Sequence, residues 1–491
     1  MNLQDVKDIR IGSELVSSVY FGGVKVWPIE EIECNPYLIP ADARYYNFND
    51  INLTDCYVNA ENVKAISYST SITGSSSPVP ENTNINPLLR FGISTQNVDL
   101  TSDNVEYIVA IPSYLNSNKL KTFRLKGNSK VKIFTFRYCQ LLESVDYFDT
   151  ELVTNTSVVF QWCSKLVNVP LFNTSNVTNM SNMFDRCHSL TTVPLFDTSN
   201  VTTMSQMFYA CNSLTTVPLF DTSNVTDMGA MFGNCGSLTN VPLFNTSNVT
   251  DMHGMFRDCD KLESVPLFDT SNVTNMTYMF TDCSSLTTVP FFNTSNVTTM
   301  EEMFNGCSSL TTVPLFDTSN VTNMSNLFAD CSSLMSLPLL NTSNVTNMRG
   351  MCLRCKSLTT IPEFDTSNVS NINAAFAFCT SLESVPTFYC GNITGWAEVF
   401  DGCEKLTNIG GFIDLGKNLD KAGNTYYQIV NLTGSPLITR ESCINIFNSI
   451  YDTNDMSFMG GLPKILFHQD VLAKLSEEDI AIATNKGWTI Q

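Results

Sequence analysis

Charge is scarce in this sequence. Asp, Glu, Lys and Arg make up 15% of 491 residues, and 27 basic side chains stand against 47 acidic ones, a net charge of −20. No block or stripe of Lys and Arg occurs, so the electrostatic footprint that holds a nucleic-acid backbone is missing and no nucleic-acid partner is expected. The same deficit disfavours an anionic membrane surface. No run of about 18 apolar residues occurs, which argues against membrane insertion. Residues 1–12 hold no charged-then-apolar segment, so no secretion leader is expected there. Histidine is confined to His188, His253 and His468. Neither a Gly-x-Ser-x-Gly elbow nor a phosphate-cradling glycine loop is present. The expectation is a protein that is not an enzyme and uses no cofactor or metal.

What the chain has instead is a repeat. Cysteine falls at 139, 163, 187, 211, 235, 259, 283, 307, 331, 355, 379 and 403, a spacing of 24 residues at every step. The repeated text is V-P-L-F-D-T-S-N-V-T-N-M-S-N-M-F-x-x-C-x-S-L-T-T. A fixed period in the twenties is the signature of a solenoid of stacked coils. Leu190, Val193 and Phe196 form one apolar run of a coil, and Val201, Met204, Met207 and Phe208 form the second. Two short strand-like segments per coil, stacked parallel and in register, are therefore expected. Equivalent cysteines would lie about 4.8 Å apart with parallel Cβ vectors, a poor geometry for a disulfide. Buried free thiols acting as small hydrophobes fit better.

The fold class is thus mainly β: a parallel β-solenoid of 24-residue coils over residues 115–424, with the coils at Cys139 and Cys163 degenerate as terminal repeats are. Residues 1–30 read as a small module of two hairpins, with Gly12-Ser13 and Gly22-Gly23 between β-rich runs. About 27 residues are too few to be stable alone, so the module is expected to dock elsewhere through Tyr20, Phe21 and Trp27. Residues 31–114 look β-rich but of unrecognisable fold. Residues 425–491 read as a small α/β domain. There a helical pattern carries Cys443, Ile444, Phe447 and Ile450, and Ile465 to Phe467 form a strand. A second helical stretch over 471–485, in two pieces, opens its second piece with a capping box at Ser476.

Two polar columns have structural explanations. An Asn recurs at Asn200, Asn224, Asn248 and onward, and its amide can satisfy turn backbone groups in two coils. Three residues before it comes an acid or its amide, such as Asp269, Asn293 and Asp317, and the interleaved Asn dilutes repulsion within the column. Cys352-x-x-Cys355 has no second pair, so a core position for Cys352 is favoured over a metal site.

Most coil positions barely change, and the changes cluster in M-x-x-M-F-x-x-C. These positions define one lateral strip that carries Gln206, Tyr209, His253, Arg257, Tyr278, Glu301, Glu302, Arg349 and Arg354. Solvent-facing drift explains such variation simply. The functional reading is a recognition face, since rigid aromatics supply area and polar neighbours supply direction. Glu301 and Glu302 could in principle join Asp258 or Asp282 as a glycosidase-like carboxylate pair, a weaker reading on so acidic a surface.

The core N-V-T-N-M-x-x-M-F-x-x-C-x-S-L-T-x-x-P resembles the BspA-like, Met-Phe-rich leucine-rich repeats of bacterial surface proteins over roughly residues 139–410. That resemblance implies a leucine-rich-repeat-like solenoid and a role in adhesion or host contact. Val6 to Trp27 is similar to the short I-x-I-G-S-x-x-V…V-Y-x-G-x-x-V-W module of virion proteins of tailed phages of gut Bacteroidales. Leu472 to Thr489 resembles the terminal domain that follows such repeats there. These likenesses imply a virion protein of the particle surface, a tail or head fibre. It would be assembled in the host cytoplasm, attached to other virion proteins by its first residues, and would bind a host-surface protein or glycan. Homo-oligomers are compatible with it. A bacterial cell-surface adhesin and a polysaccharide depolymerase spike are the alternatives.

Overall fold

The structure, a computed structural model, describes residues 105–110, 120–418, 429–454, 456 and 462–491, together with short strands before residue 102. The chain forms two compact units, residues 1–225 and 226–491.

The first unit opens with two antiparallel hairpins. β1 (Ile9–Ile11) pairs with β2 (Glu14–Val16), and β3 (Val19–Phe21) pairs with β4 (Val24–Trp27). Pairing in this unit then becomes parallel. One sheet orders β12 (Ser144–Val145), β10 (Thr122–Lys126), β8 (Asn97–Thr101), β6 (Tyr57–Asn59) and β5 (Tyr37–Leu38). A second orders β11 (Ile133–Thr135), β9 (Tyr107–Ala110) and β7 (Leu88–Phe91). From β7 on, the strands of the two sheets interleave along the chain, which is what stacked coils produce. Parallel pairing between described strands is thus already present before residue 115. Irregular spacing conceals it: Thr122 pairs with Ser144 and Asn97 with Thr122, while Leu88 pairs with Tyr107, so no fixed period is left to read.

The regular coils, Cys139 to Cys211 in the first unit and Cys235 to Cys403 in the second, differ from expectation in one respect. In most of them neither apolar run is a paired strand. The Val-Pro-Leu-Phe run carries proline where a ladder donor would stand. Pairing returns where the neighbour lacks that proline, between β13 (Ser384–Tyr389) and β14 (Asn408–Ile413). The Met-x-x-Met-Phe run is a chain of tight turns. The N–H groups of Met180, Asn182, Phe184 and Arg186 donate to the carbonyls of Thr203, Ser205, Met207 and Tyr209 in the next coil, at 2.7–3.1 Å. Those of Met183, Asp185 and Cys187 close back on Met180, Asn182 and Phe184. The backbone is satisfied without strand geometry. The second unit repeats the arrangement, for example Phe280 to Met303 and Asp282 to Asn305, with single parallel bridges such as Asp251 to Asn275.

The core consists of columns. Val177, Met180, Met183, Phe184, Cys187 and Leu190 are fully buried, as are their counterparts in the second unit. Phenylalanine rings stack face to face, 5.5 Å apart for Phe160 and Phe184 and 5.6 Å for Phe256 and Phe280. Cys352 occupies the phenylalanine slot of its coil and is fully buried. All cysteines among the described residues are free and buried. Burial pushes the thiols of Cys187, Cys283 and Cys403 up, the last to about 12. A buried threonine column donates to the next coil, as Thr270 Oγ1 does to the Asn293 carbonyl at 2.8 Å. The asparagine column reaches back, as Asn296 Nδ2 does to the Ser271 carbonyl at 2.7 Å.

In the second unit the last coil is closed by a helix. α1 (Arg440–Ser449), capped by Thr439, lies against β14. Ser442 Oγ accepts from the Ile409 N–H at 3.0 Å and Ser449 Oγ from that of Phe412 at 2.8 Å. These hydroxyls cover an edge that would otherwise invite pairing with another chain. β15 (Ile429–Leu432), β16 (Lys464–Phe467) and β17 (Thr489–Ile490) form a parallel sheet in that order, with α2 (Gln469–Leu472) and α3 (Glu477–Thr484) between the last two strands. Ser476 and Asp479 form the expected capping box of α3, and Arg440 grips Asp479 through two bonds of 2.6 and 2.8 Å.

Candidate functional site

Both variable pairs of a coil lie at tight turns, and the second residue of each takes a left-handed conformation: φ is 55° at Gln206, 61° at Tyr278, 52° at Glu302 and 59° at Arg354. L-residues enter that region at a cost of about 1 kcal/mol. The hydrogen bonds to neighbouring coils hold them there, so the backbone under the strip is fixed.

In the first unit, Tyr138 stacks on Trp162 with ring centres 6.3 Å apart. The Arg186 guanidinium lies between the Trp162 ring, at 4.6 Å, and the Tyr209 ring, at 5.4 Å. Beneath this column Asp185, 2% exposed, accepts from Gln161 Nε2 at 2.6 Å and pairs with Arg186 at 3.0 Å. Burial pushes the Asp185 carboxyl up, and Gln161 and Arg186 act against it. Gln161 Oε1 and Arg137 Nε are buried there without a hydrogen-bond partner. Gln206 accepts from Asn182 Nδ2 at 2.6 Å.

The second unit holds the remaining candidates. Arg257 lies over Tyr278 at 5.7 Å and reaches Asp258 at 3.4 Å. Burial raises the Tyr278 hydroxyl, and Glu301 and Glu302 add to the effect. Glu301 accepts from Asn323, and Glu302 accepts from Asn305 and Asn326. His253 pairs with Asp251 of its own coil at 2.9 Å, and Arg354 with Asp330 of the preceding coil at 3.4 Å. Arg349 is exposed. The expected residues are thus joined largely to side chains of adjacent coils. The side chains of Tyr20, Phe21 and Trp27, in the β3–β4 hairpin, lie outside the described residues. Among the described residues no group of three or more His, Cys, Asp and Glu is placed to hold a metal ion, and no helix is long and apolar enough to cross a membrane.

The sequence model of one family, described as "Mycoplasma protein of unknown function, DUF285", matches in four overlapping segments: residues 131–240, 215–312, 287–388 and 335–419. Together they span more than half of the chain. The chain belongs to this family. No curated protein matches the DUF285 chain in sequence. Solved structures similar to it include leucine-rich repeat proteins. One from Bacteroides ovatus is 18% identical, with 71% of this chain and 88% of that one covered and a TM-score of 0.37. A leucine-rich cell-surface protein of Faecalibacterium prausnitzii is 18% identical, covering 67% and 85% at a TM-score of 0.36. The pneumococcal vaccine antigen PcpA is 14% identical, covering 75% and 88% at a TM-score of 0.29.

Tyr138 and Trp162 belong to the strip although the sequence reading assigned their coils to a degenerate cap. The signal was available in the spacing. Arg137-Tyr138, Gln161-Trp162, Asp185-Arg186 and Tyr209-Ala210 occupy the same two positions before the DUF285 cysteine.

Proposed function

We propose that this chain is a non-catalytic recognition protein whose coils form a rigid frame for a strip that binds a host-surface protein or glycan. The observation that carries this reading is the Tyr138–Trp162–Arg186–Tyr209 column. Large side chains with polar edges stand on a backbone pinned coil to coil, so little ordering is left to oppose binding. The adhesion role implied by the repeat's resemblance points the same way. The test is adsorption of the purified full chain to host cells. Trp162→Ala combined with Tyr209→Ser is expected to cut adsorption at least tenfold with thermal stability retained. Unchanged adsorption overturns the reading.

For the setting, we favour a particle-surface fibre of a tailed phage, assembled in the host cytoplasm and joined to other virion proteins by residues 1–30. What supports it is the likeness of residues 6–27 and 472–489 to phage virion modules, together with thiols suited to a reducing compartment. The repeat's resemblance also serves a bacterial cell-surface adhesin. Mass spectrometry of purified particles separates the two: the chain is expected in the particles, and its confinement to the bacterial envelope would favour the adhesin.

A further inference from the structure

The Val-Pro-Leu-Phe-Asp run alternates inward and outward. In the second unit the Val and Phe positions face the core, while the residue between them and the acid or amide that follows face solvent. The outward apolar residue is large in five consecutive coils: Leu243, Leu267, Phe291, Leu315 and Leu339 are 60, 60, 62, 55 and 62% exposed. With the half-exposed prolines beside them they present on the order of 500 Å² of apolar surface, toward the upper end of the largest patch found on a soluble monomer, and such patches often mark interaction sites. The variable pairs elsewhere in the coil drift freely from one coil to the next. This column does not, so drift is a poor account of it.

Two residues further on, and on the same side of the run, the acid–amide column alternates strictly: Asn245, Asp269, Asn293, Asp317, Asn341, Asp365. All six are exposed. Ser271, Ser319 and Ser367 donate to Asp269, Asp317 and Asp365 and hold their carboxyls below the usual range, so the three acids stay charged near neutrality.

We propose that this face is a docking surface for a second copy of the chain, laid antiparallel about a two-fold axis lying between the coils of Phe291 and Leu315. An in-plane axis across the column sets each column against itself in reverse order. Every Asp then meets an Asn: Asn293 meets Asp317, Asp269 meets Asn341, and Asn245 meets Asp365. The amide supplies the donor that the carboxylate lacks. Phe291 meets Leu315 and Leu267 meets Leu339, with Leu243 left at the margin against Glu363. Moving the axis by half a coil would put Asp269 opposite Asp317, and like charges in contact are costly. The alternation is thus the charge pattern that an antiparallel pair of identical copies requires. Two such faces bury about 1,000 Å², at the low end for a specific interface, so a dimer in the micromolar range is expected. This surface lies apart in the coil from the recognition strip and does not depend on it.

Sedimentation equilibrium on the full chain tests the proposal. The unmodified chain is expected to pass from monomer to dimer between about 1 and 100 µM. Leu267→Ser with Leu339→Ser is expected to leave it monomeric with an unchanged melting temperature, because both side chains are exposed. Asn293→Asp is expected to weaken the dimer about tenfold by facing two carboxylates, and adding Asp317→Asn should restore it. Leu267→Cys with Leu339→Cys should oxidise to a covalent dimer linked between the two positions, which are three coils apart in one chain. A chain that stays monomeric at about 100 µM overturns the proposal. So does a dimer indifferent to these substitutions, or cross-linking of position 267 to itself.

Discussion

The thiol of Cys283 donates to the main-chain carbonyl of Phe256, 3.0 Å away and 27 residues earlier. Cys259 makes the same bond to Phe232 at 3.1 Å, and Cys187 to Phe160 at 3.1 Å. The cysteine column is therefore a hydrogen-bonding element as well as an apolar one. Removing one thiol leaves a small void and a buried carbonyl short of a donor. Cys283→Ala is expected to cost about 1–3 kcal/mol in chemical denaturation. The described thiols, all buried, should react with a thiol reagent only after unfolding, and burial raises Cys283 well above its ordinary value.

Gly306 adopts φ of 75° at the turn position where neighbouring coils hold Asp282 and Asp330 in the same region. A Cβ at Gly306 would meet the Asp282 side chain. Short polar residues tolerate this conformation and β-branched ones do not. Gly306→Val is expected to lower stability by about 1–3 kcal/mol, and Gly306→Asp by clearly less, in paired thermal melts.

Asp479 is held down to about 2, first by the Arg440 guanidinium and then by the Ser476 N–H. Its folded value lies below the ordinary 3.8. The stability it contributes is therefore complete above about pH 4 and is lost as pH falls toward 2. Fluorescence of Trp488, buried with its indole N–H on the Tyr451 carbonyl, reports on this domain. The unmodified chain should lose stability across that window more steeply than Asp479→Asn.

Ser442 and Ser449 cover the main-chain edge of β14. Ser442→Ala with Ser449→Ala leaves two buried N–H donors without acceptors, at about 1–3 kcal/mol each. Light scattering on the double variant should detect species larger than any the unmodified chain forms at the same concentration, as expected for an uncovered strand edge.

The coils were legible because their spacing is invariant, and each column follows from one repeated letter. The terminal α/β elements were legible too, through the helical spacing of Cys443 and Phe447 and the capping box at Ser476. What escaped had no local signal or a misleading one. The described strands before residue 115 pair at unequal spacings, so periodicity could not reveal their stacking. The second apolar run looks strand-like because its Met and Phe are spaced as core residues. Its left-handed residues are Gln, Glu, Tyr and Arg, which betray no turn. The sealing of β14 by α1 joins residues more than 30 apart with no shared motif. Of the variable strip, the sequence supplied Tyr209, Arg257 and Tyr278 but not the stacking of Arg186 between Trp162 and Tyr209, which requires adjacent coils to be seen together.

Because alternate main-chain N–H groups of each turn run reach forward to the following coil and the others close locally, an interior coil makes the same bonds whichever copy stands next to it. The chain can therefore lengthen or shorten by whole 24-residue units through gene duplication or loss, with no interior group left unmatched. The final coil, sealed by Ser442 and Ser449 of α1, is not interchangeable in this way, so evolution of reach is cheap here while evolution of that end is not.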